Sequence, residues 1–207
     1  MSESTALIVV DMQPDFLPGG RLAVQEGDQV LTGIADLLRS DDFGVKVATQ
    51  DWHPPDHKSF ASNHPDRSPM DTIELHGHPQ VLWPDHCIQG TPGAALAEGL
   101  PWNEVDAIIR KGVNPAVDSY SGFRNNWGPE GDRPSTGLAG YLSDRGVSGV
   151  LVCGLARDFC VRWTAEDAVQ LGFATTLRWD LSRSVDPSGD GRMRQELEEA
   201  GIRIEGV

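Results

Sequence analysis

Apolar residues fall along this chain in two alternating rhythms. Ala6-Leu7-Ile8-Val9-Val10 is an unbroken apolar run, the pattern of a parallel strand buried on both faces. Val30, Ile34, Leu37 and Leu38 then keep helical spacing through about residues 28–39. A second strand spans 44–49, where Val45 and Val47 alternate, and a third covers 105–110. A helix is expected over 136–145, with Leu138 and Leu142 one turn apart. The run Val150-Leu151-Val152-Cys153 predicts a fourth strand within 149–153. After it, Val161, Ala165, Ala168 and Val169 are helically spaced up to Leu171-Gly172. A fifth strand over 174–177, a helix over 192–200 and a last strand over 201–204 complete the pattern. Alternating strands and helices predict an α/β fold with a mostly parallel sheet, as a single domain over 1–207.

Two stretches break the rhythm. Residues from about 51 to 102 are rich in Pro, Gly, His and Asp, with little periodicity. Five further histidines follow His53 there, so the stretch reads as a functional excursion rather than a linker. A second polar loop covers 114–134. There is no internal repeat and no low-complexity tract.

Composition narrows the function. The formal net charge is −14, from 31 acidic and 17 basic residues, which argues against nucleic acid and anionic membrane as partners. No apolar run approaches the ~20 residues of a membrane span. The first residues lack the basic start of a signal peptide, so a cytoplasmic protein is expected. Three cysteines without framework spacing read as reduced thiols. A homo-oligomer is left open.

In parallel sheets, ligands bind beyond the carboxyl ends of the strands. Asp11 follows the first strand, Asp51 and His53 the second, Lys111 the third, and Cys160 the fourth. Cys160 lies where a strand turns into a helix; free N–H groups and the helix dipole there predict a lowered thiol pKa and a nucleophile. The plainer reading is a small buried apolar cysteine. Asp11 is then the candidate proton acceptor, Lys111 the cation that keeps it ionised, and the Ala156 and Cys160 N–H groups an oxyanion site. Asp11 and Lys111 also suit a structural ion pair.

Asp51, His53 and His86 offer a carboxylate and two imidazoles, a set suited to one divalent ion: Zn²⁺ first, with Fe²⁺ or Mn²⁺ as alternatives. Surface histidines are the plainer reading. His57 or Ser59 could complete the shell, although an exposed His57 is expected. His64, His76 and His78 read as loop residues, and Cys87 as a buried free thiol. Phe16, Trp83 and Tyr120 leave the same side of the sheet and could sandwich a flat ring, with core packing as the alternative.

Val10-Asp11-Met12-Gln13-Pro14-Asp15-Phe16, Asp51-Trp52-His53-Pro54-x-x-His57, Leu82-Trp83-Pro84-Asp85-His86-Cys87, Arg110-Lys111-Gly112, Asp118-Ser119-Tyr120-Ser121-Gly122-Phe123 and Gly154-Leu155-Ala156-x-Asp158-Phe159-Cys160-Val161 resemble the nicotinamidases. These belong to the isochorismatase-like cysteine hydrolases. The resemblance runs in order from about residue 6 to 173. It implies a six-stranded parallel sheet with helices on both faces. It also implies an Asp11–Lys111–Cys160 triad and a metal on Asp51, His53 and His86 that binds the pyridine nitrogen. Further implications are a ring pocket of Phe16, Trp83 and Tyr120, a cis Leu155–Ala156 peptide, and hydrolysis of nicotinamide, with pyrazinamide as a second substrate. Rival readings are an amidase for carbamoyl or maleamate-like substrates, an isochorismatase, or a non-enzymatic binding module. Two departures stand out: Arg157, expected to face solvent, and a long stretch at 127–135 that could reshape the pocket rim or an interface.

Overall fold

A computed structural model describes residues 4–207. Six parallel strands form one sheet in the order β5-β2-β1-β6-β7-β8. They are β1 (Ser4–Val10), β2 (Val45–Asp51), β5 (Ala107–Lys111), β6 (Val147–Leu155), β7 (Ala174–Arg183) and β8 (Arg203–Glu205). The helices are α1 (Leu31–Arg39), α2 (Leu138–Ser143), α3 (Arg162–Gln170) and α4 (Asp190–Glu199). No helix among the described residues is long and apolar enough to cross a membrane.

The continuous apolar run of β1 serves two cores. Leu7 and Val9 pack with Ile34 and Leu38 of α1 on one face. Ala6, Ile8 and Val10 pack with Leu142 of α2, Ala165 of α3 and Leu197 of α4 on the other. Successive strand side chains point to opposite faces, so a strand covered on both sides must be apolar throughout. Gly154 of β6 has φ +113°, and a Cβ there would overlap the backbone of Val10. Only glycine lets β6 come this close to β1 in that conformation.

Three features depart from the sequence expectation. The 51–102 stretch contains a two-stranded hairpin, β3 (Thr72–Leu75) and β4 (His78–Val81). His78 therefore lies in a strand, and His76 and Gly77 turn with positive φ. β7 runs to Arg183, well past Leu177, because Leu181 and Ser182 also turn inward. Between β6 and α3, residues Arg157–Val161 form a π-helical turn instead of the first turn of an α-helix. Such turns are rare and are frequent at functional sites.

The chain lays β2 and β5 to one side of β1 and β6, β7 and β8 to the other. The topological switch thus lies between β1 and β6, where open parallel sheets bind ligands.

Candidate active site

Asp11 leaves β1 and Cys160 lies in the π-helical turn after β6, so the switch point holds an acid and a thiol. Lys111 reaches them from β5, two strands away. The β2–β5 register pairs Asp51 with Lys111, so both end their strands at the same level. The Lys111 ammonium lies 2.8 Å from Asp11 Oδ2 and donates to Cys160 Sγ at 3.3 Å and to the Ser119 carbonyl at 3.1 Å. It also donates to Asp51 Oδ1. One buried cation therefore holds both the acid–thiol pair and the carboxylate of the candidate metal set. Strand order hides this sharing from a reading along the chain.

Asp11 is fully buried, and desolvation raises its pKa to about 6 against the pull of Lys111. Thr49 Oγ1 donates to its other oxygen at 2.6 Å. Asp51 goes the other way: burial raises it, but Lys111 and His53 together hold its carboxyl well below the usual range. The Cys160 expectation needs correcting. Burial pushes this thiol well above its ordinary pKa, and Lys111 only partly offsets that. The resting group is a thiol, since removing it from water penalises the anion more than one shared ammonium repays.

Asp51, His53 and His86 are buried and present ligand atoms within 4.8 Å of one another. Asp51 Oδ2 lies 3.5 Å from His53 Nε2 and 3.8 Å from His86 Nε2. The other ring nitrogens are tied back, His53 Nδ1 to the Gly112 carbonyl at 3.0 Å and His86 Nδ1 to the Pro84 carbonyl at 2.8 Å. A Cβ on Gly112 would overlap the His53 ring, so glycine is what admits this histidine. Backbone acceptors fix Nδ1–H and leave Nε2 as the free lone pair, the arrangement of a metal-ligating histidine. Burial, with His53 nearby, lowers His86 to about 4 and keeps it neutral, as a ligand must be. The donor set fits a divalent ion.

His57, expected to be exposed, is fully buried. Its Nδ1 lies 2.7 Å from Ser59 Oγ and its Nε2 3.3 Å from the Val117 carbonyl, with its ring 4.3 Å from that of His53. These partners draw it away from the Asp51 carboxylate. Cys87 is buried and outside the three-residue set.

Phe16, Trp83, Tyr120, Ala156 and Cys160 line one cavity together with Asp51 and His86. The cavity is small and walled by aromatic rings, which suits a single-ring molecule better than a nucleotide. Trp83 Nε1 donates to the Tyr120 hydroxyl at 3.2 Å and Phe159 stands edge-on to Trp83, so the aromatic wall is locked. Sequence reasoning missed Phe159, Leu22 and Val185 as lining residues. Phe159 was readable as the neighbour of Cys160; Val185 lies beyond β7 and carries no local signal. The Leu155–Ala156 peptide is cis.

Arg157 does not face solvent. It is 5% exposed and its guanidinium donates to Ser182 Oγ, Asp190 Oδ2 and the Trp179 and Ser182 carbonyls. Four of its five donors find acceptors on β7 and α4, which makes it tolerable to bury that guanidinium. The 127–135 stretch does not enter the cavity: Arg133 pairs with Asp167 of α3, and Trp127 stacks on His78.

An acid, an amine and a thiol gathered at the switch point of a parallel sheet covered by helices are the parts of a hydrolytic site. The chain belongs to the isochorismatase family, whose domain matches residues 5–202. A nicotinamidase of Acinetobacter baylyi is 46% identical over 98% of this chain and 92% of its own. The structure of PnC1 from L. infantum in complex with nicotinate superposes with TM-score 0.85 and 41% identity, covering 99% of this chain and 93% of that one. Pyrazinamidase of Pyrococcus horikoshii in complex with zinc superposes with TM-score 0.79 and 37% identity, covering 99% of both.

Proposed function

We propose that the chain is a nicotinamidase that hydrolyses nicotinamide to nicotinate and ammonia through a thioester on Cys160, and that it accepts pyrazinamide. The observation that carries this reading is the shared ammonium of Lys111. It ties the nucleophile and the Asp51 carboxylate to one cavity. A substrate anchored at one end by its ring nitrogen can then present its amide at the other. Relatives with bound nicotinate and with zinc support the same assignment.

Asp51, His53 and His86 would hold one divalent ion, Zn²⁺ foremost, which when bound supplies a Lewis acid for the ring nitrogen. Phe16, Trp83 and Tyr120 hold the ring and exclude water. Cys160 Sγ bonds to the carboxamide carbon as its proton passes to Asp11, whose pKa of about 6 suits exchange near neutral pH. The Ala156 and Cys160 N–H groups receive the carbonyl oxygen as it gains charge. Asp11 returns the proton to the nitrogen as the C–N bond breaks, and ammonia leaves. Water then gives a proton to Asp11 and its hydroxyl to the acyl carbon. The C–S bond breaks, nicotinate leaves, and the proton returns to sulfur. Lys111 stays charged throughout and stabilises each anionic stage. A reducing cytoplasm is the setting proposed for a chain with three buried free thiols.

Ammonia release from nicotinamide, pyrazinamide and benzamide, with and without chelator, tests the reading. Nicotinamide and pyrazinamide should be turned over and should lose activity on chelation. Benzamide, which lacks the ring nitrogen, should be poor in both conditions. Equal turnover of benzamide and nicotinamide would remove the metal from the proposal; no turnover of either pyridine or pyrazine amide would remove the function.

A further inference from the structure

Among the described residues, two buried side-chain polar atoms lack a hydrogen-bond partner. One is Asp11 Oδ2, which has the Lys111 ammonium 2.8 Å away as its ion-pair partner. The other is Ser119 Oγ, on the loop after β5. Ser119 is 1% exposed and lines the same cavity as Cys160 and Ala156. A buried hydroxyl with nothing to bond to is costly and calls for an explanation.

The main chain of Ser119 is held from both sides. Its N–H donates to Asp118 Oδ1 at 2.8 Å, and its carbonyl accepts from Lys111 Nζ at 3.1 Å. The same Lys111 reaches Cys160 Sγ, so the serine is indexed to the nucleophile through one side chain. The other acceptors nearby are already engaged. Asp118 Oδ2 takes Gln80 Nε2 at 2.6 Å, and the Tyr120 hydroxyl takes Trp83 Nε1 at 3.2 Å. Phe16, Leu22 and Phe159 add only apolar surface to the cavity wall.

A primary carboxamide brings one acceptor and two N–H donors into this cavity. Under the function proposed above, on which this inference rests, the carbonyl oxygen faces the Ala156 and Cys160 N–H groups. One N–H faces Asp11. The second N–H needs an acceptor, and Ser119 Oγ is the neutral one left. We infer that Ser119 is a substrate-binding residue whose hydroxyl accepts an N–H of the scissile carboxamide and orients its nitrogen toward the proton on Asp11. As sulfur bonds to carbon and the C–N bond breaks, that proton joins the nitrogen and ammonia departs past Ser119. The hydroxyl itself is neither consumed nor ionised.

The test compares an amide with an ester that shares the ring and the acyl group. Methyl nicotinate has no N–H on its leaving group, so it passes through the same acyl-enzyme without using this contact. In Ser119→Ala, kcat/KM for nicotinamide should fall about tenfold or more, as for a lost hydrogen bond that matters in the transition state. For methyl nicotinate it should change by less than ~3-fold, since the contact is absent from both enzymes. Ser119→Thr, which keeps a hydroxyl, provides the second variant, and its amide-to-ester ratio should lie above that of Ser119→Ala. Equal losses on amide and ester would make Ser119 a packing residue or a holder of the hydrolytic water and overturn the inference. An unchanged amide rate would do the same. Failure of the wild type to hydrolyse nicotinamide is a separate result that strikes the proposed function instead.

Discussion

Lys111→Met is the sharpest perturbation, because one ammonium serves both halves of the site. Its side chain is fully buried 2.8 Å from Asp11 Oδ2. At an effective dielectric of ~20, opposite unit charges at that separation attract by about 6 kcal/mol, or about 4 pK units. Asp11 already stands at about 6 with the cation in place, because desolvation and the Asp51 charge raise it. Methionine keeps the length and apolar stem of lysine but removes the positive charge that lowers Asp11. If half the attraction is lost on relaxation, the Asp11 limb moves to about 8; if all of it is lost, to about 10. The form that accepts the thiol proton is the carboxylate, so activity lies on the alkaline side of this limb. At pH 7, kcat/KM should therefore fall between ~10-fold and ~10³-fold, and part of the loss should return as pH rises toward 9. The assay is kcat/KM for nicotinamide from pH 5 to 10, with metal content checked in both proteins. A limb still near 6 with near-wild-type activity would show that Lys111 does not act on Asp11.

Three further outcomes follow from the same geometry. Asp11→Asn should be more stable than wild type at pH 7 by up to about 3 kcal/mol, because a carboxyl raised from 3.8 to about 6 binds its proton more tightly folded than unfolded. That contribution is present in full below pH ~4 and is lost as pH rises through ~6, so denaturant melts should show an advantage for the variant at pH 8 about twice that at pH 5. Cys160→Ala should fold but lose at least ~10³-fold in turnover. One equivalent of iodoacetamide should label Cys160, which lines the cavity, ahead of Cys153, which is fully buried within the sheet; preferential labelling of Cys153 would contradict the assignment. His86→Ala should lower metal content and raise KM for nicotinamide while leaving alkylation of Cys160 nearly intact, and a parallel loss of thiol reactivity would mean the metal set activates the nucleophile.

The order of elements was legible because the central strands of a two-faced parallel sheet are largely apolar, and each covering helix must repeat its apolar face every third or fourth residue. Asp11, Lys111 and Cys160 were readable for the same reason: they end or follow such strands. The hairpin at Thr72–Val81 was not, since its four-residue strands lie mostly on the surface and alternate weakly. Phe159 could be inferred beside Cys160, whereas Val185 could not.

What the sequence determined alone is the alternation of strands and helices, the residues at their carboxyl ends and the family those residues resemble. These are local matters of period and motif. Only the tertiary structure decided the charge states and the sharing of partners. Cys160 stays a thiol because its surroundings are dry, which a helix-terminus argument cannot know. His57 and Arg157, both polar and both expected outside, are buried because acceptors from distant segments meet them: Val117 for one, Ser182 and Asp190 for the other. Lys111 couples Asp11 to Asp51 because β5, β2 and β1 lie side by side. Desolvation and long-range pairing depend on which chain segments enclose a group, and no spacing along a single chain encodes that directly.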